Sequence, residues 1–336
     1  MRTFLRAVVV LALLAVAAGA LGFWYVLHEF AAPGPVAAGG APETLISLPM
    51  GTGLNQAAAI LETQGVVRNA LIFRAGVLIN RKAAMLKAGE YAIPSGASPS
   101  QIMNILVEGK SIVYKLTLAE GVTSAAAVEL VRNHPALVGD VTEIPPEGSL
   151  LPETYLFNRG TARADIIKKM RDDHNRVLDA LWAGRAPNLP LASKEEAVIL
   201  ASIVEKETGL AEERPRVAAV FVNRLRKGMK LQSDPTIIYG LTKGVPLGRG
   251  IRQSELTQAT PYNTYVIPGL PPTPIANPGK ASIAAVLNPA QTEDLFFVAD
   301  GTGGHVFAAT IAEHEKNVQK WRQIEHSAAP APKLRR

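Results

Sequence analysis

The feature that most restricts this chain is a run of 21 residues without a charge, Ala7 to Leu27. As a helix the run is long enough to cross a hydrocarbon layer of about 30 Å. Arg2 and Arg6 precede it, and Phe23-Trp24-Tyr25 stand near its far end, where an interfacial aromatic belt belongs. The basic flank predicts a cytoplasmic N-terminus, with everything after His28 beyond the membrane. Ala18-Gly19-Ala20 resembles a small-residue cleavage site, so a removed signal peptide is the competing reading. The run passes that site into the aromatics and exceeds an ordinary signal core, which favours an uncleaved anchor. A buried core helix is the weakest of the three readings.

Composition then removes several classes of function. Of 336 residues, 48% are apolar and 19% charged, which excludes global disorder and leaves room for two modest domains or one large one with an appendage. Cysteine is absent, so disulfides, thiolate zinc sites, iron–sulfur clusters and cysteine nucleophiles are excluded. A net charge of +6 suits a polyanionic partner without identifying one. The six histidines show no metal-ligand spacing, and there is no HExxH or GxSxG motif. Gly301-Thr302-Gly303-Gly304 lacks the Lys-Ser/Thr and helix of a phosphate cradle. No face interleaves basic and aromatic residues as a nucleic-acid surface would. No metal, cofactor or nucleic acid is expected.

The pattern along the chain predicts an α+β protein. Residues 1–6 read as a cytoplasmic stub, 7–27 as the anchor, and 28–43 as a linker rich in Gly, Pro and Ala. Residues 44–110 read as a small α+β module. It has strands at Thr44–Leu48 and Gly89–Ile93, helices around Leu54–Leu61 and Leu71–Ala88, and a last helix capped by Ser98 and ended by Gly109. Residues 111–326 read as a larger mixed domain, and 327–336 as a basic tail expected to be disordered. Within the larger domain, Ser193-Lys194-Glu195-Glu196 fits a capping box that opens a helix to about Thr208. Asp234-Pro235 reads as a helix start with Asp234 as N-cap, and Tyr262–Gly279 is a long Pro-rich loop. Leu295-Phe296-Phe297-Val298 and His305-Val306-Phe307 flank Asp300-Gly301-Thr302-Gly303-Gly304, a hairpin signal.

On a wheel of the helix 193–208, Leu200, Ile203 and Val204 define the apolar stripe and Glu207 falls within it; Glu205 projects almost opposite. A carboxyl on a core-facing stripe resists ionisation, which suits a general acid. On the wheel alone, a frayed last turn that lets Glu207 reach water is the weightier reading. Glu153 and Tyr155, in Leu150-Leu151-Pro152-Glu153-Thr154-Tyr155, either line a cleft or belong to a surface turn. Asn263, Thr264 and Tyr265 on the Pro-rich loop suit carbohydrate recognition, or simply pack the loop on the core. Asp234 could hold a sugar hydroxyl or water, with capping the default.

Several ordered motifs carry a resemblance. Ala201-Ser202-Ile203-Val204-Glu205-Lys206-Glu207-Thr208, Val222-Asn223-Arg224-Leu225 and Gly228-Met229-Lys230-Leu231-Gln232-Ser233-Asp234-Pro235-Thr236 resemble the endolytic murein transglycosylases, the MltG or YceG-like family. Tyr262-Asn263-Thr264-Tyr265, Gly269-Leu270-Pro271-Pro272, Phe297-Val298-Ala299-Asp300-Gly301 with Gly304-His305, and Leu151-Pro152-Glu153-Thr154-Tyr155 complete the set. The resemblance implies a single-pass inner-membrane protein with a LysM-like module ahead of a periplasmic catalytic domain. It implies a lyase that cuts the β-1,4 bond between N-acetylmuramic acid and N-acetylglucosamine in nascent strands and leaves 1,6-anhydro ends. Its implied partners are peptidoglycan strands and the synthases that make them, and no cofactor. The essential glutamate of the family lies in the Ile-Val-Glu-Lys-Glu-Thr segment. Glu207 is chosen here, because it lies on the stripe and because Glu207-Thr208 resembles the Glu-Ser pair of lysozyme-like transglycosylases; Glu205 is the second candidate. Glu153, Tyr155, Gln232, Asp234, Asn263 and Tyr265 are the candidates for positioning sugars. Two other readings stand beside this one. A muramidase would use Asp234 or Glu153 to activate water, and a tethered glycan-binding scaffold would need no acid.

Overall fold

A computed structural model describes residues 2–327, so all but the first residue of the basic tail expected at 327–336 lies outside the described residues. The architecture is mixed α+β, and the chain divides into two units. The first comprises the chain to Lys115 with Ala136–Val138 and Leu156–Thr161; the second comprises Leu116–Pro135, Gly139–Tyr155 and the chain from Ala162 onward.

The first unit opens with α1 (Arg2–Ala31), of which Phe4–Ala31 is long and apolar enough to cross a membrane. Next come β1 (Glu43–Leu48), α2 (Leu54–Thr63), α3 (Ala70–Ile79), β2 (Gly89–Pro94) and α4 (Pro99–Glu108). β1 and β2 pair antiparallel, Glu43 opposite Pro94 and Leu48 opposite Gly89. Alternate residues Ile46, Leu48, Tyr91 and Ile93 turn inward onto Leu61, Phe73, Val77, Ile102 and Leu106, the period of two expected of a half-buried sheet. Ser98 and Gln101 form a reciprocal capping box on α4, and Gly109 ends it with φ +74°.

Two features differ from expectation. The helix expected through Ala88 stops at Ile79, because the Asn80 amide donates to the Gly76 carbonyl (2.8 Å) and Arg81 takes the left-handed φ of 55°. Only a 3-10 turn follows, at Ala83–Met85. The linker is also held in place. Gly34 N donates to Gly96 O (3.1 Å), Gly96 N to Pro35 O (3.0 Å) and Ala37 N to Ser95 Oγ (3.0 Å). A Cβ on Gly34 would stand 2.1 Å from the Ala97 carbonyl oxygen, so only glycine fits. Gly/Pro composition reports backbone preference and is silent on partners.

Four short strands follow, β3 (Val113–Thr117), β4 (Leu137–Val138), β5 (Thr154–Asn158) and β6 (Thr161–Ala162), paired β3–β5 and β4–β6. The remaining elements are α5 (Ser124–Arg132), α6 (Arg163–Ala183), α7 (Lys194–Glu207), α8 (Arg214–Arg226), α9 (Asp234–Thr242), α10 (Gln253–Thr257) and α11 (Lys280–Leu287). The antiparallel hairpin β7 (Phe296–Ala299)–β8 (His305–Ala308) and α12 (Ile311–Ser327) close the fold.

The core of the second unit forms around α7, whose residues from Ala197 to Val204 are all buried against α8 and α11. Ser193 caps α7 by accepting from Glu196 N (3.3 Å), while the Glu196 carboxylate accepts from Ala192 N, one residue before the partner a capping box would use. The Pro-rich loop is fastened across this helix. Ile275 N donates to Ser202 Oγ (3.0 Å), and the buried Asn277 amide bonds Val122 O (3.1 Å) and Leu150 N (3.0 Å). At the hairpin turn the Asp300 carboxylate accepts from Thr302 N (2.7 Å) and Gly304 N (3.1 Å).

Candidate active site

α7 ends at Glu207 because Thr208 leaves the helix with extended backbone (φ −140°, ψ 134°). The preceding turns are sealed in the core, so the terminal side chain opens into a cavity of about 410 Å³. Glu207, Arg224, Gln232, Asp234 and Tyr265 form its polar wall. Phe221, Leu231, Phe296, Phe297 and Ile311 form the apolar one, and the His314 imidazole also lines the cavity.

Burial is the main reason the Glu207 carboxyl titrates at about 7. A hydrogen bond from Ser233 Oγ pulls it down, the charge of Asp234 pushes it up, and His305 and Arg224 pull it down again. A carboxyl balanced in this way exists in both protonation states near neutral pH, which one acid/base group needs.

The segment Leu231–Asp234 is held by the Pro-rich loop. Ser233 N donates to Thr264 Oγ1 (2.9 Å), Gln232 N donates to Thr264 O (3.1 Å), and the Thr236 and Thr264 hydroxyls bond at 2.8 Å. Gln232 sits at φ 50°, a conformation that costs a side-chain-bearing residue energy and is retained here beside Glu207. Ser233 occupies the N-cap position of α9, and Asp234, expected there, is the first helical residue. Its side chain accepts instead from the Tyr265 hydroxyl (2.8 Å). Burial and the Asp234 carboxylate raise the Tyr265 phenol, which keeps it a donor.

The structure therefore brings Glu207, Gln232, Asp234 and Tyr265 to one cavity. It sets the other candidates apart. Glu205 accepts from Gly279 N (2.8 Å) at the N-terminus of α11 and lies 3.7 Å from Arg214, so its charge serves a helix end and an ion pair. Tyr155 is buried and donates to Leu151 O (2.7 Å). Glu153 is exposed and accepts from Thr154 N (3.1 Å). Asn263, 1% exposed, donates to the carbonyls of Glu255, Leu256 and Gln258 (3.0, 3.1 and 2.8 Å) and accepts from Tyr265 N (3.0 Å). Its amide is consumed in folding the loop that presents Tyr265. Asn263→Ala is accordingly expected to cost about 2–3 kcal/mol of stability, measured by denaturant unfolding. A fully stable variant with only a raised KM would show that the amide serves the sugar.

Sequence reasoning assigned no role to Arg224, Ser233 or His314. Arg224 had a readable signal: with Val217 and Phe221 it falls on the buried stripe of α8, as Glu207 does on α7. In the fold it is 7% exposed, donates to Leu295 O (2.7 Å) and Leu231 O (2.6 Å), and lies 5.4 Å from the centre of the Phe296 ring. His314 stacks on Phe296 with ring centres 5.1 Å apart.

This chain is similar to proteins of known family over most of its length. Residues 46–320 match the model of the YceG-like family. A protein of Bacillus subtilis (strain 168) named endolytic murein transglycosylase is 31% identical over 82% of this chain and 84% of its own length. The Streptococcus pneumoniae protein of the same name (serotype 2, strain D39) is 28% identical over 92% of this chain and 63% of its own length. The 2.6 Å crystal structure of a yceG-like protein from Listeria monocytogenes superposes with a TM-score of 0.50 at 29% identity, covering 82% of this chain and 98% of that one. With the motifs distributed along α7, α8, the α9 entry, the Pro-rich loop and the hairpin, the chain belongs to the YceG-like family.

Proposed function

We propose that the protein is an endolytic murein transglycosylase, a lyase that cuts the β-1,4 bond between N-acetylmuramic acid and N-acetylglucosamine within nascent strands and so limits their length. The observation that carries this reading is Glu207, a carboxyl titrating at about 7 in a cavity with polar and aromatic walls. The relatives' names support the substrate.

The reaction needs a single acid/base. Protonated Glu207 gives its proton to the glycosidic oxygen as positive charge develops at C1 of the muramoyl ring. The C1–O bond breaks and the N-acetylglucosamine side leaves as an alcohol. The Glu207 carboxylate then takes the proton of the muramoyl C6 hydroxyl, whose oxygen bonds to C1 and closes the 1,6-anhydro ring. The proton returns to the enzyme and no water is consumed. Because the nucleophile is part of the substrate, the step gains the advantage of an intramolecular attack. Asp234, fixed by Tyr265, and Gln232 are assigned to sugar hydroxyls, while Glu205 is assigned to supporting α11. The alternative muramidase would need a second carboxylate to activate water. Asp234 lines the cavity and Glu153 does not, so Asp234 is the nominee.

Ser233→Ala tests the tuning of the acid. The Ser233 hydroxyl donates to the carboxylate and so favours the ionised form. Its loss raises the pKa of Glu207, and the alkaline limb of the rate–pH profile moves to higher pH. An unmoved or acid-shifted limb would remove Ser233 from this role.

The same reading assigns α1 to a single-pass anchor with a cytoplasmic N-terminus and places the catalytic unit on the periplasmic side, supported by the apolar length of α1 and by Arg2 and Arg6. The first unit is assigned to a LysM-like glycan-binding module, supported by its antiparallel pair with two helices between the strands. Peptidoglycan synthases are the proposed partners, since they supply the nascent strands.

A further inference from the structure

Helix α3 turns an apolar row outward. Leu71 and Leu78, seven residues apart and so on one face, are 67% and 56% exposed, and Ile79 beside them is also exposed. Their neighbours Phe73, Gly76 and Val77 face the core. α3 also carries the end of α1. Phe30 seats on Gly76 so closely that a Cβ there would lie 2.1 Å from its ring, and Ile72 shares a small cleft with Glu29 and Pro33. Ile72 and Gly76, which meet the end of α1, are next to the row 71–75–78 on the helix surface. The exposed row is therefore continuous with the base of the membrane-spanning helix.

The distances are short. Phe30 lies three residues beyond Leu27, about 4.5 Å along the axis of α1 from the end of the uncharged run. Along α3, Leu78 is about 3 Å and Leu71 about 7.5 Å from Gly76. The headgroup layer itself is about 5–8 Å thick on each side. Because residues 34, 35 and 37 are bonded to Ser95 and Gly96, the module cannot swing away on a loose tether. Charge agrees with position. Residues 62–90 contain five bases, Arg68, Arg74, Arg81, Lys82 and Lys87, against two acids, Glu62 and Glu90, a net positive balance that suits anionic headgroups.

We propose that the α3 face bearing Leu71, Leu78 and Ile79 rests in the headgroup layer of an anionic phospholipid bilayer, docking the first unit on the membrane that α1 crosses. This rests on the reading of α1 as an anchor. Lipid is favoured over a second copy because the face adjoins the point where the anchor meets the module.

The chain has no cysteine, so single-site labelling tests this directly in the full-length protein. Leu14→Cys, Leu71→Cys and Leu78→Cys, each spin-labelled and reconstituted into vesicles of phosphatidylethanolamine and phosphatidylglycerol, are compared for collision with oxygen and with a water-soluble nickel chelate. The expected result is that positions 71 and 78 favour oxygen severalfold, as Leu14 does, at shallower depth. Nickel-favouring labels at 71 and 78 with an oxygen-favouring label at 14 would overturn the docking and leave the anchor standing. A label at 71 or 78 that is broadened by the same label on another copy and meets neither reagent would overturn it in favour of a second copy. A nickel-favouring label at 14 would overturn the anchor reading itself.

Discussion

Glu207→Gln is expected to lower turnover on glycan strands by about 10³-fold or more while leaving strand binding within a few-fold of wild type. Gln keeps the shape and a hydrogen-bond partner for Ser233, but it can neither deliver a proton to the leaving oxygen nor receive one from the C6 hydroxyl. General acid–base catalysis alone contributes about 10²–10⁴-fold, and here one group carries both transfers. The same substitution has a second, opposite signature. A carboxyl that titrates at about 7 in the fold and 4.5 in the open chain disfavours the folded state once it ionises, by up to about 3 kcal/mol. The raised folded value means wild-type stability falls as pH climbs from about 4.5 through 7. Glu207→Gln should unfold at higher denaturant than wild type at pH 8 and at nearly the same denaturant at pH 4. A variant that is inactive but equally stable at both pH values would place the carboxyl in solvent, which is the frayed-turn reading.

Arg224→Met should be the most destabilising single change in the site, by about 3–5 kcal/mol. The guanidinium donates to the carbonyls of Leu231 and Leu295, one at the entry to the Gln232–Ser233–Asp234 segment and one at the entry to β7. Met fills similar space but leaves both oxygens without a donor, and each such loss costs about 1–3 kcal/mol. Lysine keeps the charge but cannot reach two divergent carbonyls from one nitrogen, so Arg224→Lys should recover only part of the loss. Denaturant unfolding of the three proteins measures this. An unchanged midpoint for Arg224→Met would mean that Arg224 serves the substrate and not the fold.

Much of this was legible in the sequence, for identifiable reasons. Where one face is buried, period and caps are explicit: β1, β2, α4, α7 and the hairpin lie within a residue or two of where the pattern puts them. The end of α3 was not legible, because the apolar spacing runs on to Leu86 while the Asn80 side-chain bond and the left-handed Arg81 stop the helix. Within the site, Glu207 was legible as an acid on an apolar stripe. Asn263 and Tyr155 were legible as unusual residue types, but what each bonds is decided by long-range partners: the Glu255–Gln258 carbonyls for one, Leu151 O for the other. The wheel points Glu205 and Glu207 in different directions, yet it held nothing of the Gly279 amide and Arg214 that engage Glu205.

Mass spectrometry of the ends made in nascent, uncrosslinked glycan strands by the full-length protein and by Glu207→Gln tests the central claim most directly. The account predicts new 1,6-anhydro-muramoyl ends, lighter than reducing ends by one water, from the wild type and none from the variant. Reducing ends from the wild type would make the enzyme a hydrolase, and anhydro ends from Glu207→Gln would take the acid away from Glu207.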